Sequence, residues 1–248
     1  MSSNILPGIK PVLELLHSSP QAIRAIYCRD DLQRRAPIEL SCLKNNIPFF
    51  PVKTEDLDAL CKRKHTAHQG LLAMLAENAQ VSLPDLLAQA TGAPLPLILA
   101  LDQVQDPGNL GTLSRTAWAL GCAGIIMPEH NSASIGAAAY KTSAGALTML
   151  PVCRINNLAK ALDKAEEAGF TIYGTSGSQA ASPVFGMEWT LPAVLVLGNE
   201  NKGIRPGVAK RCKTMLKIPF ARPFDSLNIA QAGAIFIGLC AESCKNAR

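Results

Sequence analysis

Short, almost wholly apolar runs recur through the last two-thirds of the chain, with amphipathic stretches between them. LPLILALDQV (95–104), AGIIMP (123–128), TMLPVCRI (148–155), TIYGTSG (171–177), AVLVLGNE (193–200) and TMLKIPF (214–220) read as strands. Helical periodicity is expected over about 110–120, 135–146, 157–167 and 226–244. Apolar strands alternating with helices predict an α/β fold with a mostly parallel sheet covered on both faces. In such sheets ligands bind beyond the carboxyl ends of strands, so polar residues just after strands matter most. The front of the chain, residues 1–79, reads as a separate small α/β unit. It has a helix carrying Val12, Leu15 and Leu16, a strand at 25–28, a helical stretch around Leu40 and Leu43, and strands at 48–52 and 70–75. Residues 80–95, with Pro84, Pro94 and the TGAPLP run, read as a linker to a C-terminal domain at 96–248.

Composition narrows the class. Apolar residues at 48% against 17% charged predict an ordered globular protein. A net charge of +5 permits an anionic partner without announcing one. The opening has no basic segment followed by a long apolar run. The longest apolar stretch, 229–241, is too short for a bilayer and is broken by Gln231, so a cytoplasmic protein with no membrane segment is expected. Eight cysteines without a CxxC suit reduced thiols. Cys61, His65 and His68 lack a nearby fourth ligand, and no metal is expected. No GxGxxG is present, only the GTSG at 174–177, which leaves a nicotinamide enzyme little support.

Three segments carry candidate chemistry. In DPGNLGTLSRTA (106–117), Asn109 stands at the start of a helix, where exposed N–H groups favour an anion. Arg115 lies six residues further on. In VLGNENKGI (196–204) a strand runs into Gly198 and then the carboxylate of Glu200. Glycine there lets a ligand approach the backbone. In IPFARPFDSLNIA (218–230), Ser226, Leu227 and Asn228 open the final helix. Each also has an ordinary reading: Asn109 as an N-cap and Arg115 as a solvated helix residue, Glu200 paired with Lys202 or Arg205, and Asp225 or Ser226 as an N-cap.

Together, in this order and spacing, the segments resemble the three motifs of the SpoU class of SPOUT methyltransferases, which methylate ribose 2′-hydroxyls of ribosomal or transfer RNA. KTSAGAL (141–147) matches a further recurrent family segment. GIKPVLELL (8–16) and HQGLLAML (68–75) are similar to the ends of the small ribosomal-protein-like (L30e-like) substrate domain of the ribosomal-RNA guanosine enzymes.

The resemblance implies a deep trefoil knot, S-adenosylmethionine as cofactor, an RNA substrate and a homodimer. It implies catalytic roles for Asn109, Arg115, Glu200, Ser226 and Asn228. The cofactor would be held by the loops at Thr175, Gly177, Leu197, Gly198, Ile218, Phe220 and Leu227. A guanidinium holds its proton at any working pH, so Arg115 is expected to position phosphate and ribose rather than act as a base. Between Lys202 and Arg222 lie seven basic residues and no acidic one, a candidate phosphate track. Lys62, Arg63 and Lys64 form a candidate second grip. Arg222-Pro223 departs from the small residues common in the family and bears on substrate choice. The target expected is a guanosine of large-subunit ribosomal RNA. The alternatives are a transfer RNA, or a catalytically silent RNA-binding assembly factor.

Overall fold

The computed structural model describes residues 5–61, 68–76 and 80–246. Its first part holds β1 (Ile5–Pro7), α1 (Ile9–Ser18), β2 (Ile23–Arg29), α2 (Arg35–Lys44), β3 (Phe49–Val52), α3 (Thr54–Cys61) and β4 (Leu71–Leu75). The strands form one sheet in the order β1-β4-β2-β3, antiparallel except for the β2–β3 pair. Val12, Leu15 and Leu16 are the buried stripe of α1, as their spacing predicts. In α2 the buried residues are instead Ile38 and Cys42, while Leu40 and Leu43 face solvent. Lys62, Arg63, Lys64 and His65 lie outside the described residues. His68 is buried by a structural role: its Nδ1 accepts from Gly70 N (3.1 Å) and its Nε2 lies 3.1 Å from Asp58 Oδ1. Among the described residues no group of His, Cys, Asp or Glu is placed to hold a metal.

The expected linker contains a helix, α4 (Leu83–Ala90). Ser82 caps it by accepting from Asp85 N, and Leu86, Leu87 and Ala90 are buried. Pro84 reads as a breaker in the sequence but sits in the first turn, where its missing N–H costs nothing. Beyond it come β5 (Leu95–Leu101), α5 (Pro107–Ala119), β6 (Cys122–Pro128), α6 (Ala137–Thr142), α7 (Ala146–Met149), β7 (Val152–Ile155), α8 (Leu158–Glu167), β8 (Thr171–Thr175), β9 (Ser182–Pro183), β10 (Ala193–Leu197), α9 (Pro206–Ala209), β11 (Thr214–Lys217) and α10 (Ile229–Asn246). The helix expected over 135–146 is two short helices, because Ala144 (φ +48°) and Gly145 (φ +81°) turn the chain through the left-handed region. Thr148 and Met149 therefore finish α7, and β7 starts later than its apolar run suggests.

All seven strands of this second sheet run parallel, in the order β7-β6-β5-β10-β8-β11-β9. From β5 the chain builds outward through β6 and β7, then returns to the far side of β10. The progression reverses between β5 and β10, where such sheets open a crevice at the carboxyl ends. One buried cluster lines each face of this sheet. On one of them α5 packs against α6 so closely that a Cβ on Gly111 would lie 2.4 Å from Ala139 O. On its other side α5 meets α10, where a Cβ on Gly233 would lie 2.3 Å from Leu113 Cδ2. No helix among the described residues is long and apolar enough to cross a membrane.

Candidate active site

Next to the reversal point the loops after β8, β10 and β11, with the start of α10, surround a cavity of about 660 Å³, a size suited to a nucleoside-like ligand. Thr175, Gly177, Leu197, Gly198, Ile218, Phe220 and Leu227 all line it. Glu200 and Ser226 are on its wall, with Asp225 beside them. Gln179 was not foreseen, and Lys217, expected on the phosphate track, instead closes one side with it: Lys217 Nζ donates to Gln179 O (2.8 Å) and Oε1 (3.2 Å).

The loop after β10 is a tight ring. Asn199 N donates to Gly203 O (3.0 Å) and Gly203 N to Asn199 O (2.8 Å). Gly203 has φ +65°, a conformation that favours glycine. Gly198 leaves no room for a side chain, since a Cβ there would meet Gly203 C and Ile204 N at 2.4 Å. The Asn199 side chain accepts from Asn201 N and Lys202 N and donates to Gln103 O (2.9 Å).

Glu200 stands on this ring and pairs with neither Lys202 nor Arg205. It accepts from Asn109 Nδ2 at 2.8 Å. Asn109 Oδ1 in turn accepts from Asn228 Nδ2 at 3.0 Å. The amide orientations are forced by chemistry. An ionised carboxylate only accepts, so Asn109 must turn its NH₂ to Glu200 and its oxygen to Asn228. Asn228 must then present its own oxygen to the backbone, where it accepts from Ala230 N (2.9 Å) and caps α10. The ordinary readings thus shift by a few residues: Asp106, not Asn109, caps α5 (Asp106 Oδ1 to Asn109 N, 2.7 Å), and Asn228, not Asp225 or Ser226, caps α10.

Two of the expected residues remain outside this chain of bonds. Ser226 is exposed, with no side-chain partner among the described residues. Arg115 is exposed on α5, about 9 Å along the axis from Asn109, and does not line the cavity. Its guanidinium also has no partner among the described residues, so it is free to meet a ligand's anionic group.

Residues 96–238 match the family model described as SpoU rRNA Methylase family. The chain belongs to the SpoU rRNA methylase family. Residues 5–81 match a second model, RNA 2′-O ribose methyltransferase substrate binding. Among curated relatives, the 23S rRNA (guanosine-2′-O-)-methyltransferase RlmB of Photobacterium profundum is 32% identical, over 95% of this chain and 96% of that protein. A protein of Mycolicibacterium vanbaalenii called an uncharacterized tRNA/rRNA methyltransferase is also 32% identical, over 99% of this chain and 78% of its own length. Among solved structures, the SpoU methyltransferase AviRb of Streptomyces viridochromogenes has the same fold, with a TM-score of 0.68 at 20% identity over 98% of this chain and 90% of that one. The AdoMet-bound rRNA methyltransferase of Sinorhizobium meliloti follows at 0.63 and 22%, over 96% and 86%.

Proposed function

We propose that this SpoU-family chain transfers a methyl group from S-adenosylmethionine to a ribose 2′-hydroxyl of RNA, its target a guanosine of large-subunit ribosomal RNA. The hydrogen-bonded line Glu200–Asn109–Asn228 carries the reading: it joins all three motif segments at the mouth of a nucleoside-sized cavity. The RlmB relative names the substrate class. The cavity wall carries both signs, Glu200 and Asp225 against Lys217 and Arg222, which suits a cofactor that itself bears a sulfonium, an ammonium and a carboxylate.

When bound, the cofactor would supply an activated methyl carbon: the ribose oxygen forms the new O–C bond, the S–C bond breaks to release S-adenosylhomocysteine as a neutral thioether, and the hydroxyl proton passes to solvent. The protein's share is orientation and charge placement. Backbone groups around Thr175, Gly177, Leu197, Gly198, Ile218, Phe220 and Leu227 hold the adenosine. Asn109, fixed at both ends of its amide, and the free hydroxyl of Ser226 shape the ribose pocket. Arg115 grips the neighbouring phosphate with its planar fork. Lys202 and Arg222, exposed in the loops beside the cavity and without partners among the described residues, extend that grip along the RNA, whereas Lys210 and Lys213 lie at the opposite end of β11.

In this reading residues 1–79 are an L30e-like RNA-holding domain and residues 96–248 the catalytic domain, with α4 packed onto the latter. The chain end carrying α10 passes through a loop to form a trefoil knot, with which the close α10–α5 contact at Gly233 is compatible. The protein works as a cytoplasmic homodimer paired through small residues of α10. The test is mapping of ribose methylation in ribosomal and transfer RNA from cells with and without the protein. Loss of one large-subunit guanosine mark is expected. An unchanged ribosomal pattern with a lost transfer-RNA mark would move the substrate, and no change in either would overturn the reading.

A further inference from the structure

Asp102, the residue directly after β5, is fully buried. An isolated carboxylate there would be strongly unfavourable, and Asp102 is paired and hydrogen-bonded. Its Oδ1 accepts from Arg205 Nε (2.8 Å), with Nη2 in ion-pair contact at 2.7 Å, and its Oδ2 accepts from Arg205 backbone N (2.8 Å). Both donors belong to one residue, at the far end of the ring that carries Glu200. A second pin, Asn199 Nδ2 to Gln103 O, holds the near end. Between the pins residues 200–203 are all exposed, so no buried apolar side chain fixes this stretch. Ile204, just beyond it, packs against the core cluster, so residues 200–203 are placed by the polar pins and by this one apolar anchor.

We propose that Asp102 and Arg205 are positioning residues for methyl transfer: their ion pair clamps the 199–205 loop so that Glu200 reaches Asn109. The inference rests on the function proposed above. The chemistry of the contact is unforgiving. With Asp102→Asn the side chain carries one acceptor and one donor group, so one of its two faces sets an N–H against an Arg205 N–H. Arg205, whose side chain is 45% exposed while that of Asp102 is 0% exposed, offers a second variant that breaks the pair from its outer side; because it leaves the buried Asp102 carboxylate without its counter-charge, thermal melting of both variants checks that the chain stays folded.

Limited trypsin digestion of the full chain reads the clamp directly. Lys202 is exposed inside the loop, and Arg205 precedes Pro206 and is not itself a trypsin site. In Asp102→Asn and in Arg205→Gln, cleavage after Lys202 is expected to quicken at least tenfold while cleavage after Lys160 in α8 keeps its wild-type rate. An unchanged rate at Lys202, or an equal rise at both sites, would overturn the clamp. Single-turnover methylation at saturating cofactor and ribosomal RNA reads its purpose. Each variant is expected to lower the rate at least tenfold, yet less than threefold further when Glu200→Gln is already present. The same fold-loss in both backgrounds would show that the pair does not act through Glu200. A wild-type protein that transfers no methyl group would instead refute the functional reading, while the trypsin result would still decide the clamp.

Discussion

Replacing Gly198 by alanine tests the ring after β10 with a single methyl group. The added Cβ would sit 2.4 Å from Gly203 C and Ile204 N and 2.7 Å from Gly203 O. All three are backbone atoms, which cannot swing aside as a side chain can. Ordinary contact at this point needs the 203–204 peptide to retreat by about 1 Å. That retreat breaks the two reciprocal bonds between Asn199 and Gly203, which are 3.0 and 2.8 Å long. At about 1 kcal/mol each, the native ring is disfavoured by about 2 kcal/mol. If the cofactor binds only the native ring, its affinity falls about thirtyfold. Calorimetric titration of S-adenosylmethionine measures this, with Gly207→Ala as control, because a Cβ at 207 meets nothing within 4 Å. Binding within threefold of wild type by a folded Gly198→Ala protein would refute the argument. So would an equal loss in the control.

Three further outcomes are expected. Arg115→Ala should leave cofactor affinity unchanged and slow methylation at least about a hundredfold, with Arg115→Lys restoring only part, as single-turnover assays would show; a near-normal rate for the alanine variant removes Arg115 from the chemistry. The hydrogen bond and charge of Lys141 hold the Glu14 carboxyl below its ordinary 4.5, so this contact between α1 and α6 stabilises above that pH and is lost as pH falls through the lowered value. Melting curves from pH 6 to pH 3 should therefore show Glu14→Gln less stable than wild type at the upper end and equal to it at the lower. Burial pushes Cys122 up to about 12 and both Cys42 and Cys212 to about 11, so at pH 8 about one thiol in a thousand or fewer at these positions is ionised; mass spectrometry after alkylation should find them unmodified until the chain is unfolded.

Much of the fold was legible because its strands are buried on both faces. β10, with all five residues buried, and β5 announce themselves as unbroken apolar runs. What stayed illegible depends on local backbone turns or on distant partners. Pro84 looks the same in a linker as in the first turn of a helix, and only the burial of Leu86, Leu87 and Ala90 separates the two. Leu40 and Leu43 carry the apolar signal of α2, yet Ile38 and Cys42 face the core. At the site, the cavity-lining loops followed from motif resemblance. The hydrogen bonds did not, because Glu200 meets Asn109 across 91 positions and Asn228 meets it across 119. Locally Glu200 had nearer cations to choose, and Arg205 was taken instead by a buried aspartate 103 positions away. Asp102 itself carried a signal that was passed over: a carboxylate directly after a buried strand needs a partner.

The same contacts explain how one helix can answer to both parts of the chain. Tyr140 donates to Ala76 O, Lys141 pairs with Glu14, and Gln21 donates to Ala144 O, so the KTSAGAL region is the surface on which the front unit rests. Gly145 is the point of closest approach, where a Cβ would fall 1.7 Å from Gln21 Nε2. On its other face this region meets α5 at Gly111, where a Cβ would fall 1.9 Å from Thr142 Oγ1. The buried contact at Gly111 does not slide, because close-packed interiors transmit a displacement rather than absorb it. α5 carries Asn109 at its start and Arg115 nearly two turns on, so under the proposed function an RNA gripped by the front unit would meet these residues in a set orientation. Glycine at 111 lets α6 stack on α5 without a spacer, and glycine at 145 (φ +81°) makes the turn that faces Gln21 of the front unit.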